Sequence, residues 1–306
     1  MKIFVNRKIT TGPWGGGNKI LTELVLAAKK QNHYICHELE PNIDILLCWD
    51  PRGNKESLFY ADLLEYKKRY NCKIIQRVGD IGTHGKPHLT QLVKATIQFS
   101  DFIIFPSNWA QKTIGYEKSN FEIIQNAPRD VFFKYRQSRS KPEETIRLIT
   151  HHWSTNEKKG FEFYKFIDSW IENNKVEFTY IGRTPPGFKF KNAKHLPATG
   201  DDDLIAKTLA NHDIYLTASQ EEAGANHVLE GLASALPIIF YNKGGSINEY
   251  CNTYGLDFSN QENFNQVFQE LVENFNLYKS KAMEYNDNIS DVAEKYMKII
   301  CDIKLT

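Results

Sequence analysis

The stretch that decides the fold runs from 214 to 241 and reads IYLTASQEEAGANHVLEGLASALPIIFY. It begins with a short apolar run at Ile214–Ala218 and ends with another at Ile238–Tyr241, and both have the length of a strand. Between them, small residues lead into an apolar segment at Ala225–Ala235 whose length and pattern predict a helix. A strand, a helix and a second strand in this order predict a parallel βαβ unit.

The same alternation continues on both sides of this unit. Short apolar runs alternate with amphipathic stretches of helical length across all 306 residues, which predicts doubly wound parallel sheets and an α/β fold class. The segment RQSRSKPEE at 136–144 is polar, charged and contains a proline, so we predict a linker there. The other strand candidates are Lys2–Val5, Ile43–Cys48, Lys73–Gln76, Phe102–Phe105, Phe121–Ile124, Ile146–Thr150 and Val176–Ile181.

The linker divides the chain into two predicted Rossmann-like domains, at 1–137 and 145–286. Two such domains are expected to face each other across a cleft, because ligands of parallel sheets bind at the carboxyl ends of the strands. The tail at 280–303 has a helical pattern. We expect it to pack back on the first domain, so that about 287–306 belongs to that domain.

Composition narrows the class of protein. The formal charge is +1, from 38 lysines and arginines against 37 aspartates and glutamates, so there is no general attraction for nucleic acid. The five cysteines are dispersed, which favours reduced thiols and a cytoplasmic location over a disulfide framework. The start of the chain is predicted to be a strand and not a signal peptide, and no apolar run approaches the roughly 20 residues of a membrane span. Peripheral contact with a membrane stays open.

Two carboxylates, Glu222 and Glu230, flank the start of the predicted helix. The small residues at 223–225 leave the backbone N–H groups of that start accessible, and a helix start attracts anions. The carboxylates could accept hydrogen bonds from pairs of neighbouring hydroxyls, one pair on a hexose and one on a ribose. On spacing alone, the alternative is that Glu222 caps the helix and Glu230 faces solvent.

The segment around Glu222 and Glu230 resembles the E-x7-E region of retaining GT-B glycosyltransferases of family 4. In that family a proline precedes the next apolar strand and a Gly-Gly pair follows the strand, as Pro237 and Gly244-Gly245 do here. This chain has Ala235 at a position where the family usually has glycine. The resemblance implies that Glu222 lies near the donor sugar and Glu230 at the nucleotide ribose.

A glycine-rich segment, TGPWGGGN at 11–18, follows the first predicted strand. Consecutive glycines let the backbone approach a phosphate or sugar closely, although a structural turn would explain them equally well. The spacing is neither that of a dinucleotide fingerprint nor that of a P-loop. In the resembled family this loop lines the cleft beside the donor pyrophosphate and the acceptor, which implies that role for Gly15, Gly16 and Gly17.

The segment HHWSTNEKKG at 151–160 follows the first strand of the second domain. Family members carry an arginine just after this strand and a Lys-Gly pair five residues further on, and both cations meet the donor diphosphate. Lys159-Gly160 matches the pair, whereas Ser154 stands where the arginine is expected. Positive charge stabilises a departing nucleoside diphosphate, so Arg183 and His152 are candidates to replace the missing cation.

Two further sets of polar residues have less specific patterns. Asp80 and His84 follow the third predicted strand, where family members often contact the acceptor or the donor sugar, but a structural turn is an equal alternative. Asp201, Asp202 and Asp203 contain a D-x-D spacing at a predicted helix start, where capping is the preferred interpretation over a metal site.

The resemblance implies a retaining hexosyltransferase-type enzyme that moves a sugar from a nucleoside-diphosphate donor to a hydroxyl of a glycan, lipid-linked or other acceptor. It implies no required cofactor and no metal. The alternatives are a nucleotide-sugar epimerase, a phosphorylase-like enzyme that uses pyridoxal phosphate, and a non-catalytic binding module. The implied catalytic residues are Glu222, Lys159, Asp80 and His84, and the implied donor-binding residues are Gly15, Gly16, Gly17, Ser154, Lys159, Arg183, Ala223, Gly224, Ala225, Asn226 and Glu230.

Overall fold

The structure is a computed structural model that describes residues 1–10, 16–54, 58–138, 140–142 and 144–305. Its contacts divide the chain into two compact units. Unit 1 comprises Met1–Asn126 together with Ile289–Thr306, and unit 2 comprises Ala127–Asn288. The division between the units therefore comes before the polar segment 136–144, and unit 1 is built from two separate pieces of chain.

Unit 1 contains a six-stranded parallel sheet with the strand order β2-β1-β3-β4-β5-β6. All four residues of β3 are buried, as expected for a central strand with helices on both faces. The strands, numbered over the whole chain, are β1 Lys2–Val5, β2 Tyr34–Cys36, β3 Ile45–Cys48, β4 Lys73–Arg77, β5 Phe102–Phe105 and β6 Phe121–Ile123. The helices are α1 Gly16–Lys30, α2 Tyr60–Tyr70, α3 Pro87–Thr96, α4 Asn108–Ile114 and α11 Ile289–Leu305.

The C-terminal helix α11 belongs to unit 1, as predicted, and packs on α1. Helix α1 buries one stripe that includes Ile20, Leu24 and Ala27, at the spacing of successive helical turns. The ring of Tyr296 in α11 lies 5.9 Å from the ring of Trp49, which follows β3. Unit 1 is therefore complete only when residues from both pieces of chain have come together.

Unit 2 also contains a six-stranded parallel sheet, with the order β12-β11-β10-β7-β8-β9. Its two faces carry separate hydrophobic clusters, one around Leu209, Val228 and Leu232 and the other around Tyr164 and Phe264. Helices therefore cover both faces of the sheet, which is the doubly wound arrangement. The strands are β7 Ile146–His152, β8 Val176–Gly182, β9 Lys194–Leu196, β10 Ile214–Thr217, β11 Ile238–Tyr241 and β12 Gly255–Phe258, and the helices are α5 Phe161–Trp170, α6 Asp202–Ala210, α7 Asn226–Ala233, α8 Ser246–Cys251, α9 Gln261–Glu273 and α10 Phe275–Glu284.

The structure corrects three local expectations. Gly16 and Gly17 lie in the first turn of α1 and not in a loop. The tail is two helices and not one, because α10 ends at Glu284 and α11 begins at Ile289. Three short strands, β2, β9 and β12, were not predicted: β2 and β9 have only three residues each, and only two of the four residues of β12 are large and apolar. Within the described ranges, no helix is both long and apolar enough to cross a bilayer.

Candidate functional site

Glu222 lies on a loop between β10 and α7 that a neighbouring loop holds in place. Its N–H donates to the Gly244 carbonyl at 3.1 Å, and its carbonyl accepts from the Ser246 N–H at 2.9 Å. Gly245 has φ 72°, in the left-handed region that favours glycine. A Cβ on Gly244 would stand 2.9 Å from the Ile247 Cβ. The Gly-Gly pair of the sequence motif therefore shapes the loop that supports Glu222.

The side chains of Glu222 and Lys159 meet in a largely buried ion pair. Lys159 Nζ donates to Glu222 Oε1, and each side chain is only 12% exposed. The same oxygen accepts a hydrogen bond from Ser219 Oγ at 2.8 Å, and Ser219 itself is fully buried. The two residues that the sequence places in catalytic roles therefore lie in contact, at the carboxyl end of the unit 2 sheet.

Gly160, directly after Lys159, occupies a position that requires glycine. It has φ 88° and caps the start of α5. A Cβ at this position would stand 2.4 Å from the Ala218 Cβ and 2.5 Å from the Ala218 carbonyl oxygen. Because Ala218 follows β10 directly, only glycine lets the Lys159 segment approach the Glu222 loop this closely.

Gly160→Ala is therefore expected to lower the free energy of unfolding by about 3 kcal/mol, combining backbone strain with overpacking against Ala218. Gly187→Ala is the matched control, since Gly187 has φ 81° with no atom within 4 Å of its added Cβ. That control should cost only about 1 kcal/mol of backbone strain. Urea denaturation of both variants measures the difference, and equal losses would show that contact with Ala218 does not restrict the position.

Glu230, on the first turns of α7, is buried and does not face solvent. The residue is 6% exposed, and its Oε2 lies 2.6 Å from His151 Nε2 at the end of β7. A carboxylate accepts hydrogen bonds, so His151 Nε2 carries the proton of this contact when Glu230 is ionised. The structure therefore contradicts the alternative prediction that Glu230 faces solvent.

The hydroxyl of Tyr215, on β10, connects two imidazoles. It lies 3.0 Å from His151 Nδ1 and 3.1 Å from His227 Nδ1. When Nε2 of His151 carries the ring proton, its Nδ1 accepts a hydrogen bond from the Tyr215 hydroxyl. The phenol oxygen then accepts from His227 Nδ1, and its second lone pair accepts the His151 backbone N–H at 3.2 Å. This assignment uses the one donor and both acceptor positions of the Tyr215 hydroxyl.

The same assignment leaves His227 Nε2 as a lone-pair acceptor that lies 3.9 Å from Glu222 Oε1. Among the described residues, this buried nitrogen has no hydrogen-bond partner. Burial lowers the pKa of His227 to about 3, further depressed by Lys159 and His151 and opposed by Glu222 and Glu230. His227 is therefore neutral at physiological pH, and Glu230, His151, Tyr215 and His227 form a relay that ends beside Glu222.

The small residues between the carboxylates form the start of α7. Ala223 and Ala225 are buried, and the Ala225 N–H donates to Ser246 Oγ at 3.1 Å. Gly224 is partly exposed. Asn226 is the first residue of α7, and its side-chain oxygen is buried without a hydrogen-bond partner among the described residues. This helix start lies between Glu222 and the relay.

The residues considered for the missing cation have different surroundings. Ser154 Oγ accepts the Asn156 N–H at 3.1 Å in the turn after β7, so it contributes no charge. His152 is buried, and its Nε2 lies 2.6 Å from the Tyr164 hydroxyl, whose pKa burial raises to about 12. Arg183 is exposed just after β8. Lys159 is thus the cation that the structure places against Glu222.

The predicted site residues of unit 1 lie at the start of α1 and in the turn after β4. Gly15 is outside the described residues, and Gly16 and Gly17 open α1. Asp80 accepts hydrogen bonds from the Gly82 N–H at 2.9 Å and from the Lys86 ammonium at 2.8 Å. These contacts fit the alternative prediction, in which Asp80 stabilises a turn. His84 is partly buried in the same turn. Lys86 and the Gly82 N–H outweigh burial and lower the pKa of Asp80.

The aspartates at 201–203 cap and anchor α6. Asp201 Oδ1 accepts the Leu204 N–H at 3.0 Å as the helix N-cap. Asp202 pairs with Arg129 at 3.2 Å, and Asp203 accepts the Tyr135 hydroxyl at 2.6 Å. In the part of the chain that the structure describes, no group of three or more His, Cys, Asp or Glu side chains is arranged to hold a metal ion.

Sequence reasoning did not assign roles to His151, Tyr215, His227 or Ser219. His227 lies inside the E-x7-E segment, directly before the apolar Val228 and Leu229, and this position is a signal that could have identified it. His151 and Tyr215 carry no such signal. Their roles depend on contacts between residues more than sixty positions apart, as for Tyr215 with His151 (64 positions) and Glu230 with His151 (79 positions).

Two parallel-sheet units, each with helices on both faces, define the GT-B class of fold. No protein-family model and no curated protein sequence matches the chain. Solved structures do match it over nearly its whole length. WaaG, a glycosyltransferase involved in lipopolysaccharide biosynthesis, is 15% identical with a TM-score of 0.66, over 98% of this chain and 99% of its own.

Two further solved structures have the same fold. HepE from Anabaena, solved in complex with UDP and glucose, is 11% identical with a TM-score of 0.67, over 98% of this chain and 99% of its own. The sucrose-phosphate synthase from Thermosynechococcus elongatus is 10% identical with a TM-score of 0.70, over 99% of this chain and 98% of its own. These matches confirm the predicted pair of Rossmann-like units of the GT-B fold.

Proposed function

We propose that the chain is a retaining glycosyltransferase of family 4 that moves a hexose-type sugar from a nucleoside-diphosphate donor to a hydroxyl of a glycan, lipid-linked or other acceptor. The observation that carries the proposal is the buried contact between Lys159 and Glu222, which lies beside the start of α7 and is followed by the buried Glu230. Ligands of parallel α/β sheets bind at this end of the strands.

The chemistry follows from these charges. When the bond between sugar and diphosphate breaks, negative charge builds up on the leaving oxygen, and Lys159 offers the positive charge that stabilises it. Glu222 neutralises Lys159 in the structure, so a bound diphosphate competes with Glu222 for the ammonium. Glu222 is then available to accept hydrogen bonds from sugar hydroxyls, and His227 Nε2 lies close enough to accept another.

The remaining parts of the proposal come from the family resemblance. Retention follows from attack on the same face of the sugar, with the leaving phosphate taking the acceptor proton. The protein then contributes positioning and electrostatics and forms no covalent intermediate. We expect transfer without a cofactor or an added metal ion, because Lys159 supplies the cationic charge. The fold shared with HepE, which was solved with UDP and glucose, supports a nucleotide-sugar donor. A cytoplasmic location, with or without peripheral membrane contact, is part of this proposal.

Binding of one nucleoside diphosphate is expected to raise the melting temperature selectively in a panel of UDP, GDP, ADP and CMP with their sugar conjugates, with and without Mg²⁺. A ligand that binds only the folded state stabilises it by mass action. Glu230→Ala should abolish this shift, because Glu230 is assigned to the ribose. Glu222→Ala should keep most of the nucleotide shift and lose transfer.

The matched control is Glu221→Gln, which changes the neighbouring carboxylate, 41% exposed and paired with Lys158. Equal and negligible effects of the Glu222 and Glu230 variants would contradict the assigned roles. A second candidate function, a non-catalytic nucleotide-sugar-binding module, is favoured by the uncharged Ser154 at the expected arginine position. A stabilising nucleotide with neither donor hydrolysis nor transfer in the wild type would establish that candidate instead.

A further inference from the structure

Neutral His227 has two tautomers, and they present opposite chemistry to Glu222. Its Nε2 lies 3.9 Å from Glu222 Oε1, and this buried nitrogen has no hydrogen-bond partner among the residues that the structure describes. A proton on Nε2 would make this nitrogen a donor to the carboxylate, whereas a proton on Nδ1 leaves a lone pair on Nε2. The tautomer of His227 therefore decides which ligand group this nitrogen can bind.

The Tyr215 hydroxyl has one proton for the two imidazoles that it contacts. Its oxygen lies 3.0 Å from His151 Nδ1 and 3.1 Å from His227 Nδ1. Because the hydroxyl proton can be donated to only one of these nitrogens, the other nitrogen must carry a proton and donate it to the phenol oxygen. The tautomers of neutral His151 and neutral His227 are therefore coupled, and fixing one of them fixes the other.

Glu230 fixes the tautomer of His151. Its Oε2 lies 2.6 Å from His151 Nε2, and both side chains are buried. In neutral His151, a lone pair on Nε2 would face the lone pairs of the ionised carboxylate at this distance, so Nε2 carries the proton. His151 Nδ1 then accepts from Tyr215, and His227 Nδ1 donates to Tyr215. The buried carboxylate of Glu230 thus makes His227 Nε2 an acceptor.

A buried acceptor beside a carboxylate selects the group that binds there. An acceptor left without a donor is costly, so a ligand that brings a donor to His227 Nε2 is favoured over one that does not. A sugar hydroxyl supplies that donor, whereas a hydrogen or a carboxylate at the same ring position supplies none. Sites built to bind a substrate hydroxyl in this way strongly reject the analogue that lacks it.

We propose that His227 determines specificity for the transferred sugar, because its Nε2 accepts a hydrogen bond from one hydroxyl of that sugar. Tyr215 and His151 are positioning residues that hold His227 in the accepting tautomer. This inference rests on the proposed function, since the sugar is the one carried by the nucleotide donor. Glu230 then has a second role besides its contact with the ribose, because it also sets the hydrogen bonding at the sugar.

The tautomer is measured on the full chain without any ligand. With isotope-labelled histidines at about pH 8, where histidines of ordinary pKa are neutral, a long-range proton–nitrogen correlation spectrum shows which ring nitrogen is protonated. His227→Gln identifies the His227 signals. We expect a protonated Nδ1 and an unprotonated Nε2, the opposite of the tautomer that free histidine favours.

Tyr215→Phe should reverse this pattern. Without the phenol oxygen His227 Nδ1 loses its acceptor, and a proton on Nε2 can instead be donated to Glu222. Tyr60→Phe is the matched control, because it removes another buried hydroxyl, one that bonds to Ser100 in unit 1. That control should leave the His227 signals unchanged.

Specificity is measured as kcat/KM for transfer. The donors are the sugar nucleotide that the nucleotide panel selects and its monodeoxy analogues. We expect one monodeoxy analogue to have a kcat/KM at least about 100-fold below that of the parent donor, and His227→Leu to reduce this ratio to about tenfold or less. His227→Gln has a carbonyl oxygen that can accept a hydrogen bond, so it should keep more of the ratio than His227→Leu.

The two measurements distinguish the failures. If no sugar nucleotide binds or supports transfer, the proposed function fails, and the spectrum still decides the tautomer. A proton on Nε2 of wild-type His227, or a Tyr215→Phe spectrum like that of the wild type, overturns the positioning by Tyr215 and His151. Transfer with a deoxy ratio that His227→Leu leaves unchanged overturns the specificity role. A structural role alone predicts lower melting temperatures for Tyr215→Phe and His227→Leu, with the tautomer and the ratio unchanged.

Discussion

Replacing Lys159 with methionine is expected to lower the turnover of sugar transfer by about 100- to 1,000-fold. That is the usual loss when one group that stabilises a developing negative charge is removed. Lys159 is the cation that contacts Glu222, and the neighbouring arginine position is occupied by Ser154. The donor identified by the nucleotide panel provides the substrate for the measurement.

The same substitution should also lower the free energy of unfolding by about 3 to 5 kcal/mol, because it leaves a buried carboxylate without its cation. Both side chains of the pair are 12% exposed, so solvent screens the contact little. The double variant Lys159→Met with Glu222→Gln removes both charges and should recover most of that stability. It should not recover turnover, because Lys159 and Glu222 both belong to the proposed catalytic site, so recovered stability without turnover separates a catalytic loss at this pair from a folding defect.

Lys158→Met is the matched control for this experiment. Lys158 lies one position away and pairs with Glu221, but these side chains are 36% and 41% exposed. Exposed pairs contribute at most about 1 kcal/mol, so both turnover and stability should change little. Full turnover in the folded double variant would refute the assigned role of Lys159.

Acidification from about pH 7 to about pH 5 is expected to lower the free energy of unfolding by roughly 4 kcal/mol, with His227 and His212 contributing about equally. Burial lowers the pKa of His227 to about 3 and that of His212 to about 4, from 6.5 in the unfolded chain. The unfolded state binds protons as the pH falls through 6.5, whereas the folded state does not. Stability is therefore fully present above pH 6.5 and declines below it.

Urea denaturation at the two pH values measures this loss. His227→Gln should remove about half of the pH dependence, whatever its effect on stability at pH 7. His88→Gln, at an exposed position, is the control for losing an imidazole. This window avoids the carboxylates with lowered pKa values, Asp80 and Asp203, which titrate at lower pH. A slope that His227→Gln leaves intact would contradict the buried, neutral state of His227.

The fold could be predicted from the sequence because its main strands are short apolar runs separated by amphipathic helices. Lys2–Val5, Phe102–Phe105 and Ile238–Tyr241 occur with the predicted bounds. The short strands β2 and β9 could not be predicted in this way. Each has only three residues, and they become strands because a neighbouring strand already provides hydrogen-bonding partners.

The candidate site could be predicted only where its residues are close in sequence. Glu222, Glu230 and the Gly-Gly pair share one segment, so their spacing identifies them. The interaction of Glu230 with His151 was not predicted, because 79 positions separate the two residues and the contact depends on how β7 and α7 pack.

The discontinuous chain path of unit 1 has a consequence for how the protein is made. Unit 2 is one continuous segment, whereas unit 1 lacks α11 until residues 289–305 leave the ribosome. At roughly 5 to 20 residues per second, synthesis of unit 2 takes roughly 10 to 30 seconds. During that interval the apolar surface of α1 that packs on α11 lacks its partner helix. Unit 1 can therefore complete its packing only after all of unit 2 has been synthesised.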